Sequence, residues 1–360
     1  MKIKISIIVC TFNSEKYLND CLRSLFIKNN SNYEIVAIDD KSEDKTLKIL
    51  KKWKKKFTHF QVIPLKKNRG ISYCRNLGIK KTNGEYISFC DSDDFYSHNS
   101  LSLMLKNVNL FKEYDLFFYN HKVFNNLSKK NISKSKLSKN INFSYALQLN
   151  KTITPYTRWN VWSLLIKKDF LKKNNIFFKN LNQNEDWVFN FNLSLILKKF
   201  KIINHNLYNY RFHEISSLGK KGGYIISFSR LMAIINFLKL IKKYKKNFNN
   251  DLRKLFMDMK NICISDFLIN FLKNNKIEVN KISKILKRNK RLFYKNKNII
   301  NNNEFFMILK NIKKSKKIIN KFNHFVNSNF NENSILFCAG FVGRTVMDKF
   351  HSMGFTPKII

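Results

Sequence analysis

The sequence lacks the patterns that mark secreted and membrane-spanning proteins. Its six cysteines include no CxxC pair and no framework spacing, which favours reduced, buried thiols in a cytosolic protein over a set of disulfides. The apolar run from Ile3 to Val9 is too short for a signal peptide. The longest apolar segment, Tyr224 to Ile241, is interrupted by polar and charged residues, which argues against a membrane span. We therefore predict a cytoplasmic protein.

Glycine, proline and acidic residues are also scarce. The 360 residues include 9 Gly, 3 Pro and 24 Asp or Glu, against 68 Lys or Arg, so the net charge is +44. Such a charge ordinarily suggests a nucleic-acid or an anionic-membrane partner. The excess is mostly Lys spread along the chain, whereas a nucleic-acid reader concentrates Arg and stacking aromatics on one face. We therefore predict no nucleic-acid partner, and peripheral contact with the anionic inner face of the cytoplasmic membrane.

Strand and helix patterns alternate in the first part of the chain, which is long enough to hold two or more domains. The order βαβαβαβ predicts an α/β fold whose Rossmann-like, mainly parallel sheet carries helices on both faces. The predicted strands are Ile3–Cys10, Tyr33–Ile38, Phe60–Leu65 and Tyr86–Cys90, and the predicted helices are Lys16–Lys28, Lys45–Lys56 and Gly70–Lys81.

Polar residues follow three of these strands at the point where each strand ends. Thr11 to Asn13 follow the first strand, Asp39 and Asp40 the second, and Asp91 to Asp94 the fourth. In parallel sheets, ligands bind beyond the carboxyl ends of the strands, so these residues predict a ligand site. Near-adjacent carboxylates typically hold Mg²⁺ or Mn²⁺ together with substrate phosphates. The alternative for the Asp-Ser-Asp-Asp run alone is a solvated turn.

Seven ordered blocks lie between Ile3 and about Leu218: Ile5–Asn13, Ile38–Ser42, Asn68–Gly70, Arg75–Gly78, Gly84–Asp94, Glu185–Asp186, and Tyr210–Arg211 with His213 and Ser216. Together they resemble family 2 glycosyltransferases of the bacterial surface-glycan type, which have the GT-A fold. The family usually carries proline in the place of Cys10, which we take to be a loop residue.

The resemblance implies that a sugar is transferred, with inversion, from a UDP-sugar to a glycan or lipid-linked acceptor. It assigns the catalytic base to Asp186, and Mn²⁺ or Mg²⁺ at the diphosphate to Asp93 and Asp91, with His213 as a further metal ligand. Capsule, lipooligosaccharide or cell-wall polymer synthesis is the implied setting. Two alternatives stay open: Asp186 as part of a helix cap, and His213 as a satisfied core residue.

The resemblance also implies a donor pocket, in which Asp40 accepts the imide N–H of uracil. Arg75 would contact the nucleotide, with a surface salt bridge as its alternative. Trp159 and Glu185 are the expected acceptor residues, whereas Trp162, inside an apolar run, is expected in the core. The expected donor-binding residues are Thr11, Phe12, Asn13, Asp40, Asn68, Arg75, Asp91, Ser92 and Arg211.

The chain divides into four expected parts, and the resemblance covers only the first two. Residues 1–118 would bind the nucleotide sugar and residues 119–220 the acceptor. The Ser/Lys/Asn-rich composition of residues 123–155 predicts a mobile loop with short ordered parts. Residues 221–333 have helical spacing and predict a helical extension packed on the enzyme, with a membrane-surface or dimer helix as the alternative. Residues 334–360 are similar to the first strand and helix of a dinucleotide fold that this chain does not complete.

Two other functions compete with sugar transfer. A nucleotidyltransferase of related fold would be expected to use a glycine-rich loop around its triphosphate, and the loop from Cys10 to Asn13 has no glycine. A basic nucleic-acid-binding module would account for the charge, but the sequence has no zinc-finger, RRM or helix-turn-helix signature.

Overall fold

The protein is described here by a computed structural model, which covers residues 3–27, 31–126, 130–134, 160–181, 183–213 and 224–247, with single residues between 249 and 289. The chain divides into two compact units. The first is Met1–Lys221 with Tyr244–Leu255, and the second is Gly222–Lys243 with Phe256–Ile360. All the described residues of the predicted site belong to the first unit, and the four-part division remains a prediction.

A single mixed sheet of nine strands lies in the first unit among the described residues. Its strand order is β3-β2-β1-β4-β8-β6-β9-β5, and β7 pairs with β6. The strands are β1 Ile5–Thr11, β2 Tyr33–Asp39, β3 Phe60–Pro64, β4 Tyr86–Asp91, β5 Phe95–Tyr96, β6 Leu116–Asn125, β7 Lys130–Lys134, β8 Leu164–Lys167 and β9 Phe200–Phe212.

Helices connect or follow these strands, and a 3₁₀ turn covers Lys245–Asn247. In the first unit they are α1 Leu18–Leu25, α2 Thr46–Lys54, α3 Ile71–Lys81, α4 Ser100–Leu110, α5 Lys168–Lys173 and α6 Glu185–Ile196. In the second unit, α7 covers Tyr224–Lys243.

Strands β1 to β4 pair in parallel, so the predicted α/β architecture is confirmed. Right-handed crossovers from β1 to β2 and on to β3 place α1 and α2 on one face, and the return from β3 to β4 places α3 on the other. Val9 of β1 and Leu22 of α1 accordingly share one core cluster, whereas Ile38 of β2 packs with Cys74 of α3.

Helix α3 lies very close to the sheet because it has a glycine where it crosses β1. A Cβ atom at Gly78 would come within 2.5 Å of Cγ2 of Ile8. The position therefore has no room for a side chain, and its glycine lets α3 bring Arg75 down onto the strands.

The far half of the sheet mixes strand directions and includes ordered parts of the expected loop. Strand β6 continues to Asn125, and β7 pairs with it over Lys130–Lys134, so residues 123–125 and 130–134 are ordered parts of this segment. Backbone hydrogen bonds hold these polar residues in the sheet, and such bonds need no apolar side chains. Residues 127–129 and 135–155 of the expected loop lie outside the described residues.

Cys10 is a strand residue, which corrects its assignment to a loop. It pairs with Ile38 of β2 and Asp91 of β4, because both neighbouring strands extend as far as β1 does. Burial raises the pKa of the Cys10 thiol to about 12. Cys10 is a partly buried free thiol, whereas Cys21, Cys74 and Cys90 are buried free thiols, and Cys263 and Cys338 lie outside the described residues.

The predicted helical extension is described over α7. No helix among the described residues is both long and apolar enough to cross a bilayer. The expected dinucleotide-like tail at 334–360 lies outside the described residues.

Candidate active site

The carboxyl ends of β1, β2 and β4 bring the predicted polar residues to one edge of the sheet. Thr11 pairs with Asp39, and Cys10 pairs with Asp91, so the ends of three strands lie side by side. The sequence order predicted this juxtaposition, because parallel strands end at a common edge.

Arg75 of α3 is a buried cation between two carboxylates of this edge. Its Nη2 atom lies 3.0 Å from Oδ1 of Asp91, and its Nη1 atom lies 2.5 Å from Oε1 of Glu185. The side chain is 6% exposed, so the expected alternative of a surface salt bridge does not apply. The two carboxylates raise the pKa of Arg75 against the effect of its burial, which keeps the guanidinium charged. Arg75 therefore ties the end of β4 to the start of α6.

Glu185 and Asp186 form the first turn of α6, where the helix dipole favours negative charge. Glu185 is buried in its ion pair with Arg75, and Asp186 is half-buried. Desolvation, followed by repulsion from Glu185, raises the pKa of Asp186 to about 8, although Arg75 acts in the opposite direction. A carboxyl group with such a pKa can exchange a proton near neutral pH, which suits a general base.

Asp94 fixes the shape of the turn that follows β4. It is fully buried; its Oδ2 atom accepts a hydrogen bond from the Tyr208 hydroxyl at 2.7 Å, and its Oδ1 atom accepts one from the Arg211 backbone N–H at 2.7 Å. The Tyr208 hydroxyl in turn accepts the Asp91 backbone N–H at 3.1 Å. Strand β9 thus holds the turn from Asp91 to Asp94. Our sequence analysis missed this role of Asp94 and Tyr208, because Tyr208 is distant in sequence and lies in an aromatic-rich strand without a motif of its own.

Asp93 and His213 are the described side chains of this edge best placed to hold a metal ion. Nε2 of His213 lies 3.0 Å from Oδ2 of Asp93, and the Asp93 side chain is 40% exposed. Asp91 keeps one carboxylate oxygen outside its ion pair with Arg75. Carboxylate oxygens together with substrate phosphates are usual ligands of Mg²⁺ and Mn²⁺, so the metal at Asp93, Asp91 and His213 stays a prediction. In the described part of the chain, no group of three or more His, Cys, Asp or Glu is placed to hold a metal ion.

Arg211 lies beneath this turn. Its Nε atom donates to the Asp93 carbonyl at 2.8 Å, and its Nη1 atom donates to the side chain of Asn126 at 2.9 Å. The guanidinium also stacks over Tyr17 and Phe95, 4.8 and 4.9 Å from the ring centroids. With 5% of its side chain exposed, Arg211 supports the turn from within, and its expected contact with the donor stays a prediction.

Asp40 lies at the carboxyl end of β2, and its carboxylate binds the backbone just before α3. Its Oδ1 atom accepts the backbone N–H of Arg69 at 2.7 Å, and its Oδ2 atom accepts that of Gly70 at 2.8 Å. Asn68 donates to the Asp40 carbonyl at 3.3 Å. Each carboxylate oxygen keeps a second lone pair, so the expected contact with uracil stays a prediction.

The loop after β1 is held by its neighbours. The buried Thr11 hydroxyl donates to Asp39 Oδ1 at 3.1 Å, and the Asn13 side chain accepts the backbone N–H of Glu43 at 2.9 Å. Ser92 and Ser14 are joined through their hydroxyl groups at 2.7 Å, which links this loop to the Asp91–Asp94 turn. Phe12, in contrast, is 52% exposed and free to contact a ligand at the rim.

The structure describes only one of the two expected acceptor residues. Trp159 lies outside the described residues, and Glu185 is engaged by Arg75. Trp162 is 4% exposed and stacks on Tyr208 with the ring centroids 4.3 Å apart, so its expected place in the core is confirmed.

A family model described as "Glycosyl transferase family 2" matches residues 6–172. An uncharacterized glycosyltransferase of Haemophilus influenzae is 30% identical over 51% of this chain and 69% of its own length. A poly(ribitol-phosphate) beta-glucosyltransferase of Bacillus spizizenii is 32% identical over 56% of this chain and 31% of its own length. A cholesterol galactosyltransferase of Borreliella burgdorferi is 26% identical over 71% of this chain and 73% of its own length.

Other relatives are much longer than the matched region. This chain spans 16% of an uncharacterized glycosyltransferase from Rickettsia bellii, as it spans 31% of the Bacillus protein. The activity of each of these relatives as a whole protein therefore also depends on regions outside the match.

Among solved structures, S. aureus TarS 1–349 is similar, with a TM-score of 0.55 and 22% identity over 79% of this chain and 78% of that chain. TarS has also been crystallised with UDP and with UDP-GlcNAc. At this identity the likeness shows a shared fold, and it confirms the predicted GT-A fold.

Proposed function

Because the chain belongs to glycosyl transferase family 2, we propose that it transfers a sugar from a UDP-sugar, with inversion, to a glycan or lipid-linked acceptor. The observation that carries this proposal is Arg75, which joins Asp91 at the end of β4 to Glu185 beside Asp186. Arg75 thereby holds two acidic groups at one sheet edge: Asp91, which would face the donor, and Asp186, which would face the acceptor.

The donor would lie across the ends of β1, β2 and β4. TarS binds UDP and UDP-GlcNAc with the same fold, which supports a uridine donor. Asp40 would accept the uracil imide N–H through a free lone pair. Thr11, Phe12, Asn13 and Asn68 would border the base and ribose, with Arg75, Asp91, Ser92 and Arg211 on the diphosphate side.

Members of this family generally use a divalent metal ion. In this chain Asp93 and His213 would hold Mn²⁺ or Mg²⁺, with the free oxygen of Asp91 beside them. When bound, the ion neutralises the charge that develops on the leaving diphosphate. Arg211 and Tyr208 would keep the turn in place through Asp93 and Asp94, so that the carboxylates need not reorganise during the reaction.

Asp186 would act as the base. It takes the proton from the acceptor hydroxyl while that oxygen forms its bond to the anomeric carbon. The bond from this carbon to the diphosphate breaks on the opposite side, and UDP leaves with the electron pair. The raised pKa of Asp186 suits this role, because its carboxylate binds a proton more strongly than an ordinary aspartate does.

The acceptor is proposed by class. Relatives that act on poly(ribitol-phosphate) and on cholesterol support a cell-surface polymer or a lipid-linked glycan. Trp159 and Glu185 remain the proposed acceptor-side residues. We propose that the acceptor is met at the inner face of the cytoplasmic membrane, and the net charge of +44 supports peripheral contact there.

The test is Mn²⁺-dependent hydrolysis of UDP-glucose, UDP-galactose and UDP-GlcNAc, with water as the acceptor, beside thermal-shift measurements with the same compounds. We expect Asp93→Ala to lose the Mn²⁺-dependent response, and Asp186→Asn to lower hydrolysis by about 100-fold or more while still binding UDP. Asp169→Asn, at an exposed aspartate of α5, is the matched control and should behave as wild type. Unchanged hydrolysis in both site variants would overturn the assignments.

A further inference from the structure

Helix α2 carries a row of lysines on its outer side. Lys48, Lys51, Lys52 and Lys55 recur at spacings of three and four residues, so they share one face of the helix, which we call the lysine face. All four are exposed, and Lys55 continues the helical backbone as its C-cap. None of the ion pairs among the described residues involves them. Four positive charges are therefore exposed without an ion-pair partner in the part of the chain that the structure describes.

The opposite side of α2 fixes the direction of this face. Thr46 and Leu50 are buried, and Trp53 packs partly against the same core. The Trp53 indole N–H donates to the side chain of Asn19 in α1 at 3.1 Å, which joins the two helices as one layer. The lysine face accordingly points away from the sheet, and a surface bound to it would leave the sheet edge with Asp91 and Asp186 open.

Aromatic side chains border the lysine face at the C-terminal end of this layer. Phe26, the C-cap of α1, is 37% exposed and meets the Trp53 ring edge to face, with the ring centroids 6.1 Å apart. Nζ of Lys56 lies 5.3 Å from the Trp53 ring centroid. Lysines beside partly exposed aromatic rings suit the headgroup region of a bilayer, where the rings enter the interface and the ammonium groups meet lipid phosphates.

We propose that the lysine face, with Phe26 beside it, is the surface by which this protein binds an anionic lipid bilayer. It consists of lysines without arginine, and these lysines are exposed on the outer side of one helix. These properties fit diffuse attraction to a charged plane better than base or phosphate recognition by a nucleic-acid reader, which favours bidentate Arg contacts. This inference rests on the proposed function, because a lipid-linked acceptor would be met at the surface of a bilayer.

Co-sedimentation with vesicles tests this surface. The full chain is mixed with vesicles of phosphatidylcholine alone or with 30 mol% phosphatidylglycerol, in about 0.1 M salt, where charges act over about 10 Å. The test variant is Lys48→Gln/Lys51→Gln/Lys52→Gln/Lys55→Gln. The control variant, Lys80→Gln/Lys81→Gln/Lys172→Gln/Lys173→Gln, removes the same charge from exposed positions on α3 and α5.

We expect wild type to bind only the anionic vesicles. The test variant should bind them about 100-fold or more weakly, because each lysine contributes about fivefold to the binding constant. The control variant should lose much less. An equal loss in both variants would show that total charge alone acts and would overturn the proposal. So would unchanged vesicle binding in the test variant, including the case in which that variant loses binding to a duplex oligonucleotide. Hydrolysis of UDP-sugars in solution should stay at the wild-type rate in both variants, which separates this outcome from failure of the proposed function.

Discussion

Nη1 of Arg75 lies 2.5 Å from Oε1 of Glu185, although the two residues are 110 positions apart in the chain. The same guanidinium reaches Asp91 at 3.0 Å; the Arg75 and Glu185 side chains are buried, and that of Asp91 is 32% exposed. A buried cation between two carboxylates is costly to disrupt, because removing it leaves two acidic groups without a partner. This ion pair thus joins the folding of α3, β4 and α6 to the arrangement of the proposed site.

The first prediction concerns this cation. Arg75→Ala should lower the free energy of unfolding by about 3–5 kcal/mol, because Asp91 and Glu185 lose their common partner. Thermal or urea denaturation measures the loss. Arg23→Ala removes an exposed guanidinium paired with Asp20 and should cost less than about 1 kcal/mol. Similar small losses in both variants would contradict the structural role of Arg75.

The second prediction is a pH dependence set by Asp186. Its pKa is raised to about 8, and the proposed base must be ionised to act, so kcat/KM should rise with pH through about 8 and level off above it. The rate of UDP-sugar hydrolysis between pH 5.5 and 9.5 reports this profile. Asp169→Asn should keep the profile, and a rate that is flat from pH 6 upward would contradict the raised pKa.

The same pKa affects stability in a defined direction. The unfolded carboxyl group ionises near its ordinary value of 3.8, whereas the folded one keeps its proton until about pH 8. The unfolded state therefore binds fewer protons between these values, and the contribution of Asp186 to stability falls across this range and then stays constant. Asp186→Asn should remove this part of the decline. Denaturation curves of wild type and variant at pH 5, 7 and 9 measure the difference.

The third prediction concerns the turn from Asp91 to Asp94. Tyr208→Phe leaves the Asp91 N–H and the Asp94 carboxylate without the hydroxyl that joins them, which should lower the free energy of unfolding by about 1–3 kcal/mol. The Mn²⁺ concentration that gives half-maximal hydrolysis should rise, because Asp93 lies in the loosened turn. Tyr73→Phe, at a 38% exposed tyrosine, is the control and should change neither quantity. A stable variant with unchanged Mn²⁺ dependence would contradict the link between the turn and the metal.

A fourth prediction tests the packing behind the site. A Cβ atom at Gly84 would lie 2.5 Å from the Ser6 hydroxyl oxygen and 2.7 Å from the Ser6 backbone nitrogen. Gly84→Ala should therefore lower the free energy of unfolding by about 1–3 kcal/mol, because β1 must move to admit the methyl group. Ser102→Ala, on the exposed side of α4, should change it by less than about 0.5 kcal/mol. Equal stabilities of the two variants would contradict this close contact.

The sequence predicted the parallel half of the sheet well, because β1 to β4 are apolar runs bounded by polar residues and separated by helical spacing. It also predicted that the strands preceding Asp40 and Asp91 end side by side, whereas the grouping of these residues with Asp186 in one ligand site stays a prediction. The partners of these residues did not follow from local patterns. The Arg75–Glu185 pair and the Tyr208–Asp94 bond join residues more than 100 positions apart, and their contact depends on the tertiary path of the chain.

The edge strands were the weaker part of the prediction. The residues of β7 are Lys130 to Lys134, a polar segment that resembles a loop in composition, yet its backbone pairs with β6. Composition reports which side chains can be buried, and an edge strand buries few.

The two hydrogen bonds that Asp40 accepts from Arg69 and Gly70 have a consequence for how this enzyme can change. Those amides precede the first turn of α3, and α3 carries Arg75. A substitution at residue 40, where we propose the nucleobase contact, would therefore also release the start of α3, and with it the support of Asp91 and Glu185. Evolution toward another donor would be constrained at this residue, and new specificity would be more readily gained at an exposed position such as Phe12.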